Sequence, residues 1–158
     1  MSDSSSINLE LSEEVRETCL CLHAQRAARA LARRFDEALR PAGLTNEQFS
    51  LLMSLNRPDP ASVQDVASLL GADRTTLTAA LKLLVRRGLA EVGVDRADAR
   101  VRRVALMAAG HARLISALSL WRREHEALEA ELEGPTPARL RHDLNALSAP
   151  HSRPASSK

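Results

Sequence analysis

Four arginines and two aspartates lie close together in the stretch GVDRADARVRRVAL, residues 93–106. Guanidinium groups bind phosphate and carboxylate oxygens through paired hydrogen bonds, so a dense arginine cluster suits an anionic partner. The glycine and the aspartates indicate a turn, and the valines on either side indicate strands. The chemistry available to this stretch is therefore anion binding by a short, charged loop.

The positive charge of the chain is concentrated in its middle. Residues 71–103 contain eight basic and four acidic side chains, although the whole chain has a formal net charge of only +2. A basic segment in a nearly neutral chain is typical of a nucleic-acid contact surface. Charge alone leaves open the alternative of a solvated, arginine-rich face without a partner.

Two predicted helices precede the charged stretch in SVQDVASLLGADRTTLTAALKLLVRRGL. Ser62 and Asp73 are suited to cap these helices, and Gly71 is suited to turn the chain between them. Their apolar residues would face each other: Val63, Val66, Ala67 and Leu70 against Leu77, Leu81, Leu84 and Val85. The opposite face of the second helix then presents hydroxyl and cationic side chains that suit base edges and phosphates in a major groove, namely Arg74, Thr75, Thr78, Lys82 and Arg86.

The two strands LAEVGV and VRRVAL follow this pair of helices directly. A helix-turn-helix alone is weak evidence, because αα-hairpins are common. A two-stranded ribbon with a basic loop at its tip makes the arrangement a winged helix. We therefore expect a mainly α-helical fold with a small β wing.

Further helices are predicted on both sides of the winged unit. One helical pattern runs from a cap at Ser12 to about Arg40 and carries an apolar stripe longer than a small domain needs. Thr45 and Gln48 form a capping box for a helix that ends near Leu55. Two more helices are expected at about 108–133 and 138–147.

Several classes of protein are not expected from this sequence. It contains no apolar run long enough for a membrane span and no signal-peptide pattern, so the cytoplasm is the predicted location. It also contains no glycine-rich phosphate loop, no paired catalytic carboxylates and no serine nucleophile elbow. We expect neither an enzyme nor a bound cofactor.

The chain resembles the MarR family of bacterial transcription regulators over residues 12–147. The most specific part is Gly88-Leu89 followed by Asp95, Asp98 and Arg100, which matches the family's D-x-x-D-x-R wing. The resemblance implies that Asp98 orients the wing and that Arg100 enters the minor groove, with Arg96 as a second candidate for phosphate or minor groove. The chain departs from the family pattern at Val92-Gly93, at Met107, and at Ala79, where many relatives place an arginine on the groove face.

The resemblance also implies an assembly and a mode of regulation. It implies a homodimer that binds a pseudo-palindromic, double-stranded DNA operator, acts as a repressor, and is released by a small effector, often an aromatic or hydrophobic anion. A monomer with its own helical bundle is the alternative. The implied segments are a flexible arm at 1–11, a dimerisation helix at 12–44, the DNA-binding domain at 45–107, dimerisation helices at 108–148, and a disordered tail at 149–158.

Six residues are candidates to line the effector crevice between the dimerisation helices and the winged domain. An arginine or histidine in an apolar crevice suits a carboxylate. The candidates are His23, Arg26, Phe49, Met53, His111 and Arg113. Each has a structural alternative, because Phe49 and Met53 also suit a plain core, and His111 and Arg113 also suit the surface.

Cys19 and Cys21 permit a second kind of regulation. If both lie on one helix, their side chains point about 200° apart, which disfavours a disulfide between them. Leu20, Cys21 and Arg29 resemble the first helix of the hydroperoxide-sensing branch of the family, although the tyrosines used there are absent. Cys19 and His23 could provide two metal ligands, but no third is evident, so we predict no metal site. Buried cysteines in a helix interface are also compatible with the sequence.

A function of another class also remains open at this point. A winged helix that binds a protein partner instead of DNA would have the same helices and the same strands. Loss of salt-dependent DNA binding on substitution of Arg100 or Lys82 would distinguish the two functions.

Overall fold

The computed structural model describes residues 8–134 and 136–149. Within them the chain forms seven α-helices and three strands, in an order that confirms the predicted winged helix. The elements are α1 Leu9–Thr18, α2 Leu20–Leu39, a short 3-10 turn Arg40–Ala42, α3 Asn46–Ser54, β1 Ala61–Ser62, α4 Val63–Leu70, α5 Arg74–Arg86, β2 Ala90–Val94, β3 Arg102–Leu106, α6 Ala108–Ala130 and α7 Pro137–Ser148. None of the described helices has the length and hydropathy needed to cross a bilayer.

The N-terminal helical segment is interrupted at Cys19. The prediction of one helix from Ser12 to about Arg40 is wrong, because α1 begins at Leu9 with Asn8 as its cap and Cys19 adopts an extended conformation between α1 and α2. The freed backbone groups find other partners: the Cys19 sulfur accepts a hydrogen bond from the Leu22 amide at 3.4 Å, and the His23 ring contacts the Glu17 carbonyl at 3.1 Å. Side-chain hydrogen bonds that replace backbone hydrogen bonds do not change the hydrophobic periodicity, so a pattern of apolar residues cannot reveal the interruption. Residues 1–7 of the predicted arm and residues 150–158 of the predicted tail lie outside the described residues.

The helices of the winged unit begin and end at residues whose capping and turn preferences are visible in the sequence. Thr45 and Gln48 make the predicted capping box at the start of α3. Ser62 caps α4 and Asp73 caps α5. Gly71 and Gly88 follow α4 and α5 with φ of 62° and 67°, values that favour glycine.

The sheet contains one strand more than the sequence predicts. The strands pair antiparallel in the order β1-β3-β2, with Val104 opposite both Ala61 and Val92. The additional strand is β1, which has only two residues and follows the loop NRPDP. A strand this short has no alternation that a sequence pattern could detect.

The core joins the winged unit to α2 and α6. Its largest fully buried side chains are Leu39, Leu51, Leu52, Leu55, Val66, Leu84 and Val104. Val85, predicted to face α4, is 39% exposed because it lies about 100° around α5 from Leu84. Arg34 of α2 binds Glu131, the residue that follows α6, at 2.5 Å, and also Glu124 of α6. Its hydrogen bonds to Glu131 and Glu124 raise the pKa of Arg34, and the same contact lowers the pKa of Glu131.

Candidate nucleic-acid interface

The exposed face of α5 brings together the residues that the sequence proposes for the major groove. A shallow groove is lined by Arg74, Thr75, Thr78, Ala79 and Lys82. All five side chains are exposed. Arg86 continues the same side of the helix toward the wing, where it lines a neighbouring groove. The predicted order of inward leucines and outward polar residues on α5 is therefore present.

Asp73 caps the N-terminus of α5. Its carboxylate accepts hydrogen bonds from the Thr76 amide at 2.8 Å and from the Thr76 hydroxyl at 2.5 Å. These bonds, that from the hydroxyl above all, lower the pKa of Asp73 below its ordinary value. Thr76 belongs to this cap and does not line the groove, whose hydroxyl residues are Thr75 and Thr78.

A second groove separates α5 from the wing. It is bounded by apolar side chains of α4, α5 and β2 and has a cationic rim, formed by Arg74, Lys82, Arg86 and Arg102. Arg102 is exposed and was missed by the sequence reasoning. The alternation of the strand could have identified Arg102. Val104 is the inward residue of β3, and a residue two positions earlier lies on the same side of the strand, here at the edge of the core.

The wing loop is organised around Asp95. One oxygen of its carboxylate accepts the amides of Ala97 and Asp98 at 2.8 and 3.0 Å, and the other binds Arg103 Nε at 2.6 Å. The Arg103 bond, followed by the two amide bonds, lowers the pKa of Asp95. Asp98 in turn accepts the Arg100 amide at 2.9 Å. The family resemblance implies an orienting role for Asp98; in the structure, Asp95 and Arg103 make most of the contacts within the wing loop.

The cationic side chains of this region fall into two groups: some bind other residues of the chain, and the others are available to an external partner. Arg87 donates to Gln48 and to the Gly43 carbonyl, and Arg103 binds Asp95, so both are structural. Another group has exposed cationic side chains with no hydrogen bond or ion pair to any described residue; it consists of Arg74, Lys82, Arg86, Arg96, Arg100 and Arg102. Cations left without internal partners on α5 and the wing can bind an external anion.

The six candidate effector residues have separate contacts in the chain. Phe49 is buried and stacks on Trp121 at 6.1 Å, and Arg113 donates to the Ala42 carbonyl at 3.0 Å. His111 lines a cavity of about 300 Å³ with residues 55–60 and the end of β3. His23 contacts the Glu17 carbonyl, and Arg26 and Met53 are exposed. Within the single chain these six side chains are not gathered around one cavity.

The two cysteines have different surroundings. Both are free thiols; Cys19 is half-buried at the junction of α1 and α2, and Cys21 is exposed on α2, where Gln25 donates to its sulfur at 3.2 Å. The expectation that both lie on one helix is wrong, because Cys19 lies outside α2. Among residues 8–134 and 136–149, no group of three or more histidine, cysteine or acidic side chains is placed to hold a metal.

Comparison with known proteins gives the same fold, including in structures that were solved with DNA. A sequence profile of the MarR family matches residues 42–101, which span α3 to the wing loop. The transcriptional regulator MosR of Mycobacterium tuberculosis, solved in complex with DNA, is 38% identical, with 82% of this chain and 93% of that chain covered and a TM-score of 0.75. None of the curated proteins matches the chain significantly.

Two more distant structures share the fold. A mutant of MarR from Escherichia coli, complexed with operator DNA, is 24% identical, with a TM-score of 0.74 and coverage of 84% and 96% of the two chains. CouR from Rhodococcus jostii, bound to p-coumaroyl-CoA, is 19% identical, with a TM-score of 0.72 and coverage of 87% and 96%. The fold therefore occurs in a protein that binds DNA and in one that binds a small molecule.

Proposed function

Because the chain belongs to the MarR family of transcription regulators, we propose that it is a cytoplasmic, homodimeric repressor that binds double-stranded DNA. The observation that carries this proposal is the set of exposed, unpaired cations on α5 and the wing loop. No carboxylate of residues 8–134 or 136–149 neutralises them, so DNA phosphates are their natural counter-ions. MosR, which is 38% identical to this chain over the aligned residues, was solved bound to DNA.

Each winged unit would contact both grooves of the duplex. The exposed face of α5, with its shallow groove (the α5 groove), would enter the major groove of the DNA. Arg74 and Lys82 lie at its two ends, with Thr75 and Thr78 between them. Arg100, on the ordered wing loop, would enter the minor groove, where a guanidinium is favoured by the negative potential. Arg96 and Arg86 would bind flanking phosphates.

The dimer would form through α1 and α7, the helices that the described residues leave uncovered. Neither α1 nor α7 has a buried residue. Their leucines are exposed, among them Leu9 at 74% and Leu147 at 57%. Apolar stripes of this kind are costly in water and are covered when two copies interlock. A two-fold dimer would then place two α5 helices about 34 Å apart, on successive turns of a pseudo-palindrome.

The proposed effector is a small, hydrophobic anion that weakens DNA binding. It would bind between the dimerisation helices and the winged unit, where His23, Arg26, Phe49, Met53, His111 and Arg113 are the candidate contacts. CouR, a protein of the same fold, was solved with p-coumaroyl-CoA. Closure of such a site by the second subunit would bring together side chains that lie apart in one chain.

The test is a selection of genomic fragments by the purified protein, compared with Arg100→Ala. We expect the wild type to enrich a pseudo-palindrome and to lose affinity steeply with salt, because phosphate contacts release counter-ions. Arg100→Ala should weaken binding by roughly tenfold or more and lower the salt slope. Arg123→Ala, which removes the same charge from an exposed position on α6, is the matched control and should retain the affinity.

Two results would contradict the proposal. Equal binding by Arg100→Ala and the wild type would remove the wing from the interface. Failure of the wild type to enrich any sequence would favour a winged helix that binds a protein partner.

A thiol switch is a second candidate function, favoured by the exposure of Cys21 next to the helix junction at Cys19. A Cys21 thiolate would attack a hydroperoxide, forming a sulfenic acid and releasing the alcohol. The change would occur beside the uncovered α1, where it would alter the dimer. This candidate predicts that peroxide releases the wild type from its operator and leaves Cys21→Ser bound.

Cys19→Ser tests whether the second thiol is needed. Release of both single variants by peroxide, or of neither the variants nor the wild type, would exclude the switch at Cys21. Mass spectrometry of the treated protein would identify the oxidised sulfur directly.

A further inference from the structure

The centre of the α5 groove has an unusual composition for a DNA-reading surface. Arg74, Thr78 and Lys82 follow one another along one row of the helix, and Thr75 and Ala79 form the adjacent row. The two cations are eight residues apart, about 12 Å along the helix axis, which is roughly the rise of three to four base pairs. Short side chains therefore occupy the length between the two charged ends.

The hydroxyl of Thr78 is already committed. Its Oγ1 donates a hydrogen bond to the Arg74 carbonyl at 2.7 Å. This bond uses the only hydrogen of the hydroxyl and holds the side chain in one rotamer, so the position of the Cγ2 methyl is fixed as well. Toward a base, Thr78 offers a methyl group and oxygen lone pairs, but no donor.

Ala79, the next residue, offers only a methyl group. With Thr78 it forms the centre of the groove, and neither can donate a hydrogen bond to the acceptors O6 and N7 of guanine. An arginine at position 79 would make that contact. The C5-methyl of thymine is the feature of the major groove that apolar side chains recognise, and alanine and threonine methyl groups are its usual partners.

We propose that Thr78 and Ala79 together contact the C5-methyl of a thymine in the centre of each half-site. The inference rests on the proposed function and specifies which base the recognition helix reads. The Thr78 oxygen can then accept a hydrogen bond from the N6 amino group of the paired adenine. A hydroxyl with a free hydrogen could also donate to other bases and would therefore be less selective. Arg74 and Lys82 bind the flanking phosphates or guanines.

The experiment replaces each thymine of the selected operator, one at a time, by deoxyuridine, which removes only the methyl group. At the predicted thymine, we expect the affinity to fall about fourfold per half-site, which corresponds to one buried methyl group, about 0.8 kcal/mol. With both half-sites changed, the loss should be roughly fifteenfold. Thymines outside the centre of the half-sites should give no change.

Thr78→Ser identifies the protein side of this contact. The variant keeps the hydroxyl and its bond to the Arg74 carbonyl but lacks the methyl group, so it should discriminate less between thymine and uracil at that position. Thr76→Ser is the matched control, because Thr76 is exposed and its hydroxyl is hydrogen-bonded, but it caps α5 with Asp73 and does not line the groove. It should discriminate as the wild type does.

The outcomes separate this inference from the function on which it rests. An operator that binds but has no central thymine, or shows no deoxyuridine effect, overturns the methyl contact and leaves the DNA-binding function intact. Equal discrimination by Thr78→Ser and the wild type assigns the methyl contact to another residue and also overturns the inference. Failure to bind any DNA overturns both.

Discussion

Asp95 and Asp98 of the wing loop have different tasks, although they belong to the same sequence motif. Asp95 binds Arg103 and two loop amides, whereas Asp98 accepts only the Arg100 amide through its side chain. Asp98 therefore sets the backbone at Arg100, and Asp95 ties the loop to β3. Ordering the loop before DNA arrives reduces the entropy lost on binding.

Asp95→Asn tests this division of tasks. The change removes a negative charge, which by electrostatics alone would tighten DNA binding. We expect the opposite, a loss of up to about fivefold in affinity, because the ion pair with Arg103 that orders the wing is lost. Glu91→Gln is the control, because it removes the same charge from an exposed position on β2 where the side chain has no partner among the described residues. Tighter binding by both variants would contradict the role of Asp95.

The same carboxylate predicts a pH dependence. Its folded-state pKa is lowered, so its contribution to stability is complete above the ordinary aspartate pKa of about 4 and is lost as the pH falls through the lowered value. Hydrogen exchange of the wing amides, corrected for intrinsic rates, should therefore show constant protection between about pH 5 and 8. A loss of protection already at pH 6 would assign the order of the wing to another group.

At the scale of elements, α6 is positioned by a close backbone approach at its first turn. The Met107 amide donates to the Leu89 carbonyl at 3.1 Å. A Cβ atom added to Gly110 would lie 2.1 Å from the same carbonyl oxygen and 2.7 Å from Leu106 Cδ1. Glycine is therefore required where the helix packs against the start of β2, and this contact sets the angle between the wing and the long helix.

Gly110→Ala should destabilise the protein by about 3 kcal/mol or more, because rigid backbone has to move to admit the methyl group. The measurement is urea unfolding at neutral pH. Gly93→Ala is the matched control, because nothing lies within 4 Å of its added Cβ. We expect it to change the free energy of unfolding by less than about 1 kcal/mol. Equal stability of the two variants would mean that α6 adjusts freely.

The elements also differ in how well the sequence predicts them. Thr45, Ser62 and Asp73 indicate the starts of α3, α4 and α5 because a capping side chain acts within three residues of itself. The junction at Cys19 is not predictable in this way, because the apolar stripe continues through it and a sulfur and a histidine replace the lost backbone bonds. β1 is missed because two residues cannot form a pattern.

At the scale of the whole molecule, α1 and α7 have apolar faces that no other described part of the chain covers. Leu140, Leu144 and Leu147 of α7 are 37–57% exposed, and α1 has no buried residue. An ion pair between Arg141 and Glu129, at 2.5 Å, is one contact by which α7 is attached to α6. The proposed second subunit would cover these faces and, with them, the effector crevice.

The double variant Leu144→Glu/Leu147→Glu should convert the dimer to a monomer, because each carboxylate would be buried without a partner in the interface. Sedimentation would measure the mass, and binding to the full operator should fall by about a hundredfold, since the two half-sites no longer bind together. Leu69→Glu, at a leucine of α4 that is 69% exposed, is the control and should remain dimeric. A double variant that keeps the dimer mass would place the interface elsewhere.

The sequence by itself determined the winged-helix order, the caps of α3, α4 and α5, and the face of α5 that carries Arg74, Thr78 and Lys82, because each of these depends on residues within a few positions of one another. Only the tertiary structure decided which cations are available. Arg87 donates to Gln48 and Gly43, while the Arg100 side chain has no partner among the described residues, and nothing in the sequence around the two arginines distinguishes them in this respect. The contacts that occupy Arg87 join residues about forty positions apart, and such contacts arise only when the packed core brings distant segments together.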